Sequence, residues 1–360
     1  MNATAQLQDL AIIYVLDPPG LTRDSIVLLS TIRHVLGDVK VIAYCPSDKV
    51  DFLFPYVTEF YDRMGAEIRL MEPTDKFIAP YKQGNKLLAC LQERDTEYTL
   101  FLDTDTAIVA PFSRADLVTE GTVSVVPEGV QSWGGNPGSW EYVYEKFGLP
   151  FPEERVRLVR SNKLSPPYWN AGMIAFPTRS AFAETWFRLA TELDADPQVD
   201  HKRPWLDQIT LPLAIAVSGL QARNVGKEWN LSISHPGHER HHEEFFRNIN
   251  AIDAKIVHFH QAKFFAGTKF TAIADEAIAS NTKFASLSEL TAPGDAAAAR
   301  REEVWGRFGE LKKIAQKTPE ELAEMHALGQ EKNRIKARRN SAEEQAARAP
   351  DSIVKPVTAD

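Results

Sequence analysis

Two aspartates one residue apart are the most distinctive chemical feature of the sequence. Asp103 and Asp105 follow an apolar run at residues 98–102 (YTLFL), which predicts a buried strand. Two carboxylates at the end of such a strand repel each other unless a cation lies between them. Hard oxygen ligands in this arrangement suit Mg²⁺ or Mn²⁺ held together with a substrate's phosphates. The spacing therefore favours a metal–phosphate site over the other reading, a pair of turn or cap residues.

The elements that must position these aspartates alternate along the first hundred residues. Apolar runs predict strands at residues 11–16, 39–44, 66–70 and 98–102, and helical spacing predicts helices at 21–36, 50–62 and 81–94. Later strands are expected at 123–126, 169–176 and 256–259, and later helices at 180–193 and 205–217. This alternation indicates βαβ units and a mainly parallel sheet, whose ligand sites lie at the carboxyl ends of the strands.

The composition is that of an ordinary globular protein. Hydrophobic residues make up 44% and charged residues 25% of the 360 positions. The 41 basic and 49 acidic residues give a net charge of −8, which argues against a nucleic-acid partner bound through bulk charge. Two cysteines, Cys45 and Cys90, cannot form a disulfide framework and are expected in the core. Since no membrane span or signal peptide is predicted, we expect a cytoplasmic protein, compatible with peripheral contact at a membrane.

One large domain and a charged extension are predicted. The domain covers residues 1–290, and the composition changes near Pro293-Gly294 to segments rich in Ala, Glu, Lys and Arg. Residues 291–340 are expected to form a charged helical extension, in which residues 318–321 (TPEE) are typical of a helix start. Residues 341–360 are expected to form a disordered tail.

The sequence around Asp103 resembles motifs of two enzyme classes. Haloacid-dehalogenase-like phosphatases carry Asp-x-Asp-x-Thr after a hydrophobic strand, and residues 103–106 satisfy that pattern too. In those enzymes, however, the motif belongs to the first core strand, whereas about a hundred residues of βαβ pattern precede it here. In GT-A glycosyltransferases an Asp-x-Asp motif binds the metal and diphosphate of a nucleotide-sugar donor. A GT-A protein that binds a nucleotide-sugar or glycan without turnover is a third alternative.

Further motifs in order favour the GT-A class. After Asp103 and Asp105 come Asn170-Ala171-Gly172, then Asp207-Gln208 and then His258 and Lys263, and this order resembles glycosyltransferase family 8 over about residues 10–265. The resemblance implies an α/β GT-A fold with a mixed, mainly parallel sheet flanked by helices. It also implies a retaining hexosyltransferase with a UDP-sugar donor and a glycan, lipid-linked or protein acceptor.

The resemblance assigns roles to the sugar-facing motifs. The Asn170 side chain and the Gly172 backbone would line the donor-sugar pocket, and glycine permits the close approach of a ligand. Asp207 and Gln208 would be the catalytic pair, close to the anomeric carbon and the acceptor hydroxyl. In an inverting enzyme Asp207 could be the general base; in a retaining one, either residue would orient the acceptor.

The metal and phosphate ligands are less closely matched. Asp103 and Asp105 would share Mn²⁺ or Mg²⁺ with a histidine, and Lys263 would bind phosphate. The family pattern is His-x-x-Gly-x-x-Lys-Pro-Trp, whereas here Lys263 follows His258 by five residues. Either His258 or His260 could therefore be the ligand, because alternation along a strand would place both on one face. Motif alignment favours His258.

Other positions carry alternative interpretations. Lys86 opens the helix before the Asp-x-Asp strand, and a cation at a helix start is unfavourable unless an anion binds there. We therefore expect Lys86 to contact the donor diphosphate, and Asp17, after the first strand, to contact the nucleoside. Trp133 and Trp140 could form a sugar-stacking platform or pack in the core. The histidine-rich stretch at residues 235–242 favours a solvated loop over a zinc site, because its spacing is irregular.

Overall fold

The protein is described by a computed structural model that covers residues 7–233, 247–291, 296–339 and 349–355. The histidine-rich stretch at residues 235–242 lies outside the described residues. The strands in the described part of the chain are, in order, β1 (Leu10–Val15), β2 (Lys40–Pro46), β3 (Glu67–Met71), β4 (Tyr98–Leu102), β5 (Thr106–Ile108), β6 (Thr122–Pro127), β7 (Val156–Arg157), β8 (Leu164–Ser165), β9 (Trp169–Pro177), β10 (Gln221–Asn224), β11 (Leu231–Ser232) and β12 (Ile256–His258).

Helices connect these strands and flank the sheet. Those of the large domain are Thr22–Leu36, Pro55–Arg63, Gly84–Leu91, Arg114–Leu117, Ser139–Lys146, Phe182–Asp194, Leu206–Val217, Ala262–Phe265, Thr271–Asn281 and Leu287–Thr291. The extension contains the helices Ala296–Lys313 and Pro319–Arg339. No helix among the described residues is both long enough and apolar enough to cross a membrane.

The main sheet has seven strands in the order β10-β6-β9-β4-β1-β2-β3. Neighbouring strands are parallel except at β9, which runs antiparallel to both β4 and β6. The strands β1, β2 and β4 are almost entirely buried, because helices cover both faces of the sheet. Separate apolar clusters lie on the two faces, and Cys45 and Cys90 are free thiols buried in them, as predicted.

A second, three-stranded sheet stands beside the carboxyl end of β4. It has the order β11-β12-β5, with β11 parallel and β5 antiparallel to β12. Its register pairs His258 with both Thr106 and Ser232. Neither β5 nor β11 was predicted, because strands of two or three residues carry no recognisable periodicity. This small sheet brings the strand Ile256–His258 back beside Asp105.

The structure differs from the sequence-based expectation in the tail. Residues 349–355 fall within the predicted disordered segment 341–360, yet Ile353 is 2% exposed and belongs to the main core. Its carbonyl accepts a hydrogen bond from the Lys283 amide at 2.8 Å, and the Lys355 carbonyl accepts one from Arg63. Two apolar residues in a polar segment are too few to reveal this packing from sequence. Residues 341–348 and 356–360 lie outside the described part.

Candidate active site

The carboxyl end of β4 forms the base of the site. The antiparallel register pairs Leu102 with Met173, so Gly172 lies opposite Asp103 and its carbonyl accepts the Asp103 amide hydrogen bond at 2.8 Å. The Thr104 hydroxyl donates to the carbonyl of Val15 at the end of β1. These two hydrogen bonds hold the Asp-x-Asp turn against two neighbouring strands.

Lys86 lies between two carboxylates beneath this turn. Its ammonium Nζ is 3.0 Å from Oδ1 of Asp103 and 3.0 Å from Oδ2 of Asp207, and its side chain is 9% exposed. Burial alone would lower the pKa of Lys86, but attraction to Asp103 and Asp207 raises it above the ordinary value. Burial raises the pKa of Asp103, and the Lys86 charge opposes that shift. Lys86 is therefore a buried cation that neutralises part of the acidic site.

Asp207 is held from every side. Its Oδ2 accepts from Lys86, its Oδ1 lies 3.0 Å from the Tyr81 hydroxyl, and its carbonyl accepts the Trp186 indole N–H at 2.9 Å. The side chain is 4% exposed. Gln208, the next residue, is half-buried and accepts a hydrogen bond from the Tyr168 hydroxyl at 2.9 Å. Both members of the predicted catalytic pair therefore have fixed orientations.

Asp105 faces two imidazoles. Its Oδ1 is 3.1 Å from Nε2 of His258, and its Oδ2 is 3.9 Å from Nδ1 of His260. Burial would raise the pKa of Asp105, but attraction to His258 lowers it below the usual range. Burial would lower the pKa of His258, and Asp105 raises it instead. Burial and the neighbouring His258 lower the pKa of His260 to about 4. The histidine alternatives that the sequence left open thus lie side by side.

Gly172 and Asn170 lie between the Asp103 turn and the His258 ring. A Cβ atom at Gly172 would lie 2.8 Å from Nδ1 of His258 and 2.9 Å from Oδ1 of Asn170, so any side chain there would displace them. The Asn170 amide is itself fixed: its Oδ1 accepts from the Gly172 amide and from Asn230, and its Nδ2 donates to Glu128 at 2.8 Å. The Asn-Ala-Gly turn therefore supports the imidazole as well as the Asp-x-Asp turn.

Two predicted residues lie apart from these groups. Lys263 is exposed on the short helix Ala262–Phe265, and its Nζ is 5.0 Å from the Phe264 ring. Asp17 is half-buried in the loop after β1, and burial raises its pKa while Lys82 and Lys49 oppose the shift. Neither makes a described contact with the aspartates of the Asp-x-Asp motif.

The tryptophan pair belongs to the core. Trp133 and Trp140 pack edge to face with ring centroids 5.0 Å apart, and both are buried. The Trp133 indole N–H donates to the carbonyl of Asp200 at 3.0 Å. Of the two interpretations that the sequence allowed, the packing agrees with the core one.

Three residues that contact the predicted site residues were not predicted from the sequence. Tyr81 contacts Asp207, Glu128 contacts Asn170, and Ser232 contacts His260 through an Oγ–Nε2 distance of 2.9 Å. None belongs to a motif, because each acts through another residue. Tyr81 begins the helix predicted at 81–94, and Glu128 follows the strand predicted at 123–126; this position at the carboxyl edge of the sheet is the signal that could have identified them.

Comparison with known families identifies the class of protein. Residues 12–219 match the family described as the Rhodobacterales glycosyltransferase domain. Because this match covers more than half of the chain, the chain belongs to that glycosyltransferase family. The predicted glycosyltransferase class is thereby confirmed, and the phosphatase alternative is set aside. The mixed, mainly parallel sheet flanked by helices is the architecture expected of the GT-A fold. Membership of family 8 stays a prediction. No curated protein sequence matches the chain.

Solved glycosyltransferase structures match part of the chain at low sequence identity. The apo structure of the bifunctional glycosyltransferase WbbM is 14% identical, with a TM-score of 0.44 over 74% of this chain and 51% of WbbM. The galactosyltransferase LgtC, bound to donor and acceptor sugar analogues, is 11% identical, with a TM-score of 0.47 over 74% of this chain and 95% of LgtC. Mouse xyloside xylosyltransferase 1 is 10% identical, with a TM-score of 0.43 over 69% of this chain and 97% of that enzyme. The chain thus spans about half the length of WbbM.

Proposed function

We propose that this glycosyltransferase is metal-dependent and moves a hexose from a nucleotide-diphosphate donor, with a UDP-sugar favoured, to a glycan, lipid-linked or protein acceptor. The observation that carries the proposal is the meeting, at one edge of the sheet, of Asp105 and His258 with the cluster of Lys86, Asp103 and Asp207. Asp105 and His258 offer ligands for a cation. The cluster of Lys86, Asp103 and Asp207 offers a fixed polar surface for a sugar.

The candidate metal ligands fit a divalent cation such as Mn²⁺ or Mg²⁺. One oxygen of Asp105 and one nitrogen each of His258 and His260 lie within 4.8 Å of one another. Such an ion, when bound, would stabilise the negative charge of the departing nucleoside diphosphate. Asp103 is the neighbouring carboxylate, and its ligand role is part of the proposal, although Lys86 holds it at 3.0 Å.

The chain's own residues would bind and orient the donor. Lys86 carries a buried positive charge at the base of the site, where negative charge on a diphosphate would be attracted. Asn170 and Gly172 would shape the sugar pocket, with Asn170 pre-organised by its bond to Glu128. Lys263, on its exposed helix, would close on the phosphates from the other side, and Asp17 would contact the nucleoside.

The surroundings of Asp207 favour a retaining reaction. Both of its carboxylate oxygens are engaged, one by Lys86 and the other by Tyr81, and the side chain is almost fully buried. A general base must reach the proton that it removes, and Asp207 is poorly available for that task. Its proposed role is to orient Lys86 and the sugar, with Gln208 beside the acceptor. A product whose anomeric configuration, measured by NMR, is inverted relative to the donor would contradict this assignment.

Thermal shift measurements with UDP, GDP and UDP-sugars, each with and without Mn²⁺, test the proposal. We expect stabilisation by a uridine nucleotide that requires the metal and is lost in Asp105→Asn. Stabilisation by a different nucleotide would change the donor and keep the reaction class. Binding of a UDP-sugar without any turnover in an acceptor screen would favour the non-catalytic alternative. A cytoplasmic location with peripheral membrane contact, as a lipid-linked acceptor would require, remains part of the proposal.

A further inference from the structure

An apolar loop tip is exposed at the carboxyl edge of the main sheet. The loop joins β3 to the helix Gly84–Leu91 and contains five consecutive apolar or aromatic residues, 77–81 (FIAPY). The outer two are buried, whereas the inner three, here called the apolar tip, are exposed: Ile78, Ala79 and Pro80. Ile78 is 68% exposed, the largest value among the exposed large hydrophobic residues of the described ranges. A single exposed apolar side chain is ordinary, whereas an exposed apolar tip that the fold holds in place indicates a partner.

A buried ion pair fixes the backbone of the apolar tip. The fully buried carboxylate of Asp194 accepts hydrogen bonds from the Ile78 amide at 2.8 Å and from the Arg203 guanidinium at 2.6 Å and 2.8 Å. Arg203 in turn donates to the carbonyls of Ala79 and Pro80, at 2.8 Å and 3.1 Å. Hydrogen bonds to a paired charge are strong. All three tip residues are therefore held through their backbones while their side chains stay exposed.

Two exposed lysines flank the apolar tip. Lys76 precedes it and Lys82 follows it, and the sequence contains no acidic residue from position 76 to position 92. Asp75 is the acidic residue nearest to the tip in the chain. The segment is thus locally positive in a chain whose net charge is −8, and its charge is complementary to an anionic surface.

The apolar tip lies next to the candidate site. Tyr81 follows it directly, and its hydroxyl lies 3.0 Å from Oδ1 of Asp207. The Arg203 guanidinium that holds the tip also lies 5.3 Å from the centre of the Tyr81 ring. Attraction to Lys82 opposes the rise in the pKa of Asp17, so Lys82 lies near the residue proposed to contact the nucleoside. A surface that receives the tip is therefore also next to the residues proposed to bind the donor and the acceptor.

We propose that the apolar tip docks on an anionic phospholipid bilayer, with Ile78 inserted at the interface and Lys76 and Lys82 on the lipid phosphates. Burial of an apolar side chain and attraction of lysines to anionic lipids act together at such an interface. A second copy of the chain fits the tip less well, because a symmetric contact would bring the same lysines together. Of the acceptor classes in the proposed function, this surface selects the lipid-linked one, and in that respect the inference rests on the proposed function.

Sedimentation of the full chain with vesicles tests the proposal. Vesicles of phosphatidylcholine alone are compared with vesicles of equal parts phosphatidylcholine and phosphatidylglycerol, at low and at high salt. We expect binding to the mixed vesicles that is about tenfold tighter than to phosphatidylcholine and that weakens at high salt. Ile78→Glu should weaken it by about tenfold or more, because a carboxylate replaces the inserted side chain. Lys76→Gln and Lys82→Gln should each weaken it about fivefold.

Leu322→Glu is the matched control, because it makes a similar change at a leucine that is 51% exposed on the helix Pro319–Arg339. Vesicle binding should stay within about twofold of the wild type in Leu322→Glu and in the conservative variant Ile78→Leu. No binding to either kind of vesicle, equal binding to both, or equal losses in Ile78→Glu and Leu322→Glu would overturn the proposal.

Two further measurements separate the alternatives. Self-association of the wild type in sedimentation velocity that is lost in Ile78→Glu would assign the tip to a second copy and overturn the bilayer. Nucleotide binding with Mn²⁺ should be the same in Ile78→Glu as in the wild type, because the Ile78 side chain is outside the donor site. A wild type that binds the mixed vesicles and no nucleotide would support the docking surface and contradict the proposed function.

Discussion

The variant Lys86→Met keeps the length of the side chain and removes its charge from between two carboxylates. Each carboxylate lies 3.0 Å from the ammonium in the wild type. At an effective dielectric constant of about 20, two unit charges at this distance attract each other by roughly 5–6 kcal/mol. Desolvation of the buried ammonium offsets part of the two attractions. Losing one partner of a buried ion pair typically costs about 3–5 kcal/mol, and we expect a loss of that size in the free energy of unfolding.

Guanidinium chloride unfolding at pH 8 and pH 5 measures this loss. Without Lys86, the half-buried carboxyl group of Asp103 loses the ammonium that opposes the effect of burial on its pKa, so its ionised form is disfavoured in the folded state. The penalty is greatest at pH 8, where the unfolded chain is fully ionised, and shrinks at pH 5, where the folded variant can take up protons. Lys82→Met, an exposed lysine four residues away, should cost under about 1 kcal/mol. A pH-independent loss, or one no larger than that of Lys82→Met, would refute the reasoning.

Three other substitutions have definite outcomes. Gly172→Ala should abolish metal binding measured by titration, because the new methyl group would lie 2.8 Å from the His258 ring; unchanged binding would show that the ring is not a ligand. Burial, together with Asp105, raises the pKa of Asp24 to about 7. Its ionisation therefore costs folding stability increasingly between about pH 4 and pH 7. Asp24→Asn should raise the free energy of unfolding by ~1–3 kcal/mol at pH 8 and by less at pH 5; an equal gain at both would contradict the assigned shift. Ile353→Ala should cost about 2–4 kcal/mol in chemical unfolding, whereas a change under ~0.5 kcal/mol would mean that the 349–355 segment contributes little to the core.

Much of the fold follows from local patterns. The strand ending at Asp103 was predicted with its observed bounds, and the neighbouring strands and helices to within a few residues. Buried parallel strands are continuous apolar runs, which makes them easy to recognise. The reversed direction of β9 could not be predicted, because an apolar run carries no information on strand orientation. That reversal places Gly172 opposite Asp103.

The sequence motifs supplied the candidate site residues, but the contacts between those residues had no sequence signal. Asp105 and His258 are 153 residues apart in the chain, and a three-residue strand pairing brings them to 3.1 Å. Motif order alone placed Asp103 and Asp105 on one cation. That shared role stays a prediction; the contact between Asp103 and the buried Lys86 ammonium, at 3.0 Å, had no signal in the sequence. Tyr81 and Ser232 could not be predicted, because each contacts a site residue that is distant in the sequence.

Release of UDP from a UDP-sugar, followed chromatographically in the presence of an acceptor mixture, tests the central claim most directly. With Mn²⁺, the wild type should release UDP and form a glycosylated product. Asp105→Asn should lose activity by at least 100-fold, while His326→Ala, which removes an exposed histidine of the helix Pro319–Arg339, should retain it. A variant Asp105→Asn that matches the wild type, or a wild type whose activity is unaffected by removal of divalent ions with a chelator, would contradict the metal-dependent mechanism.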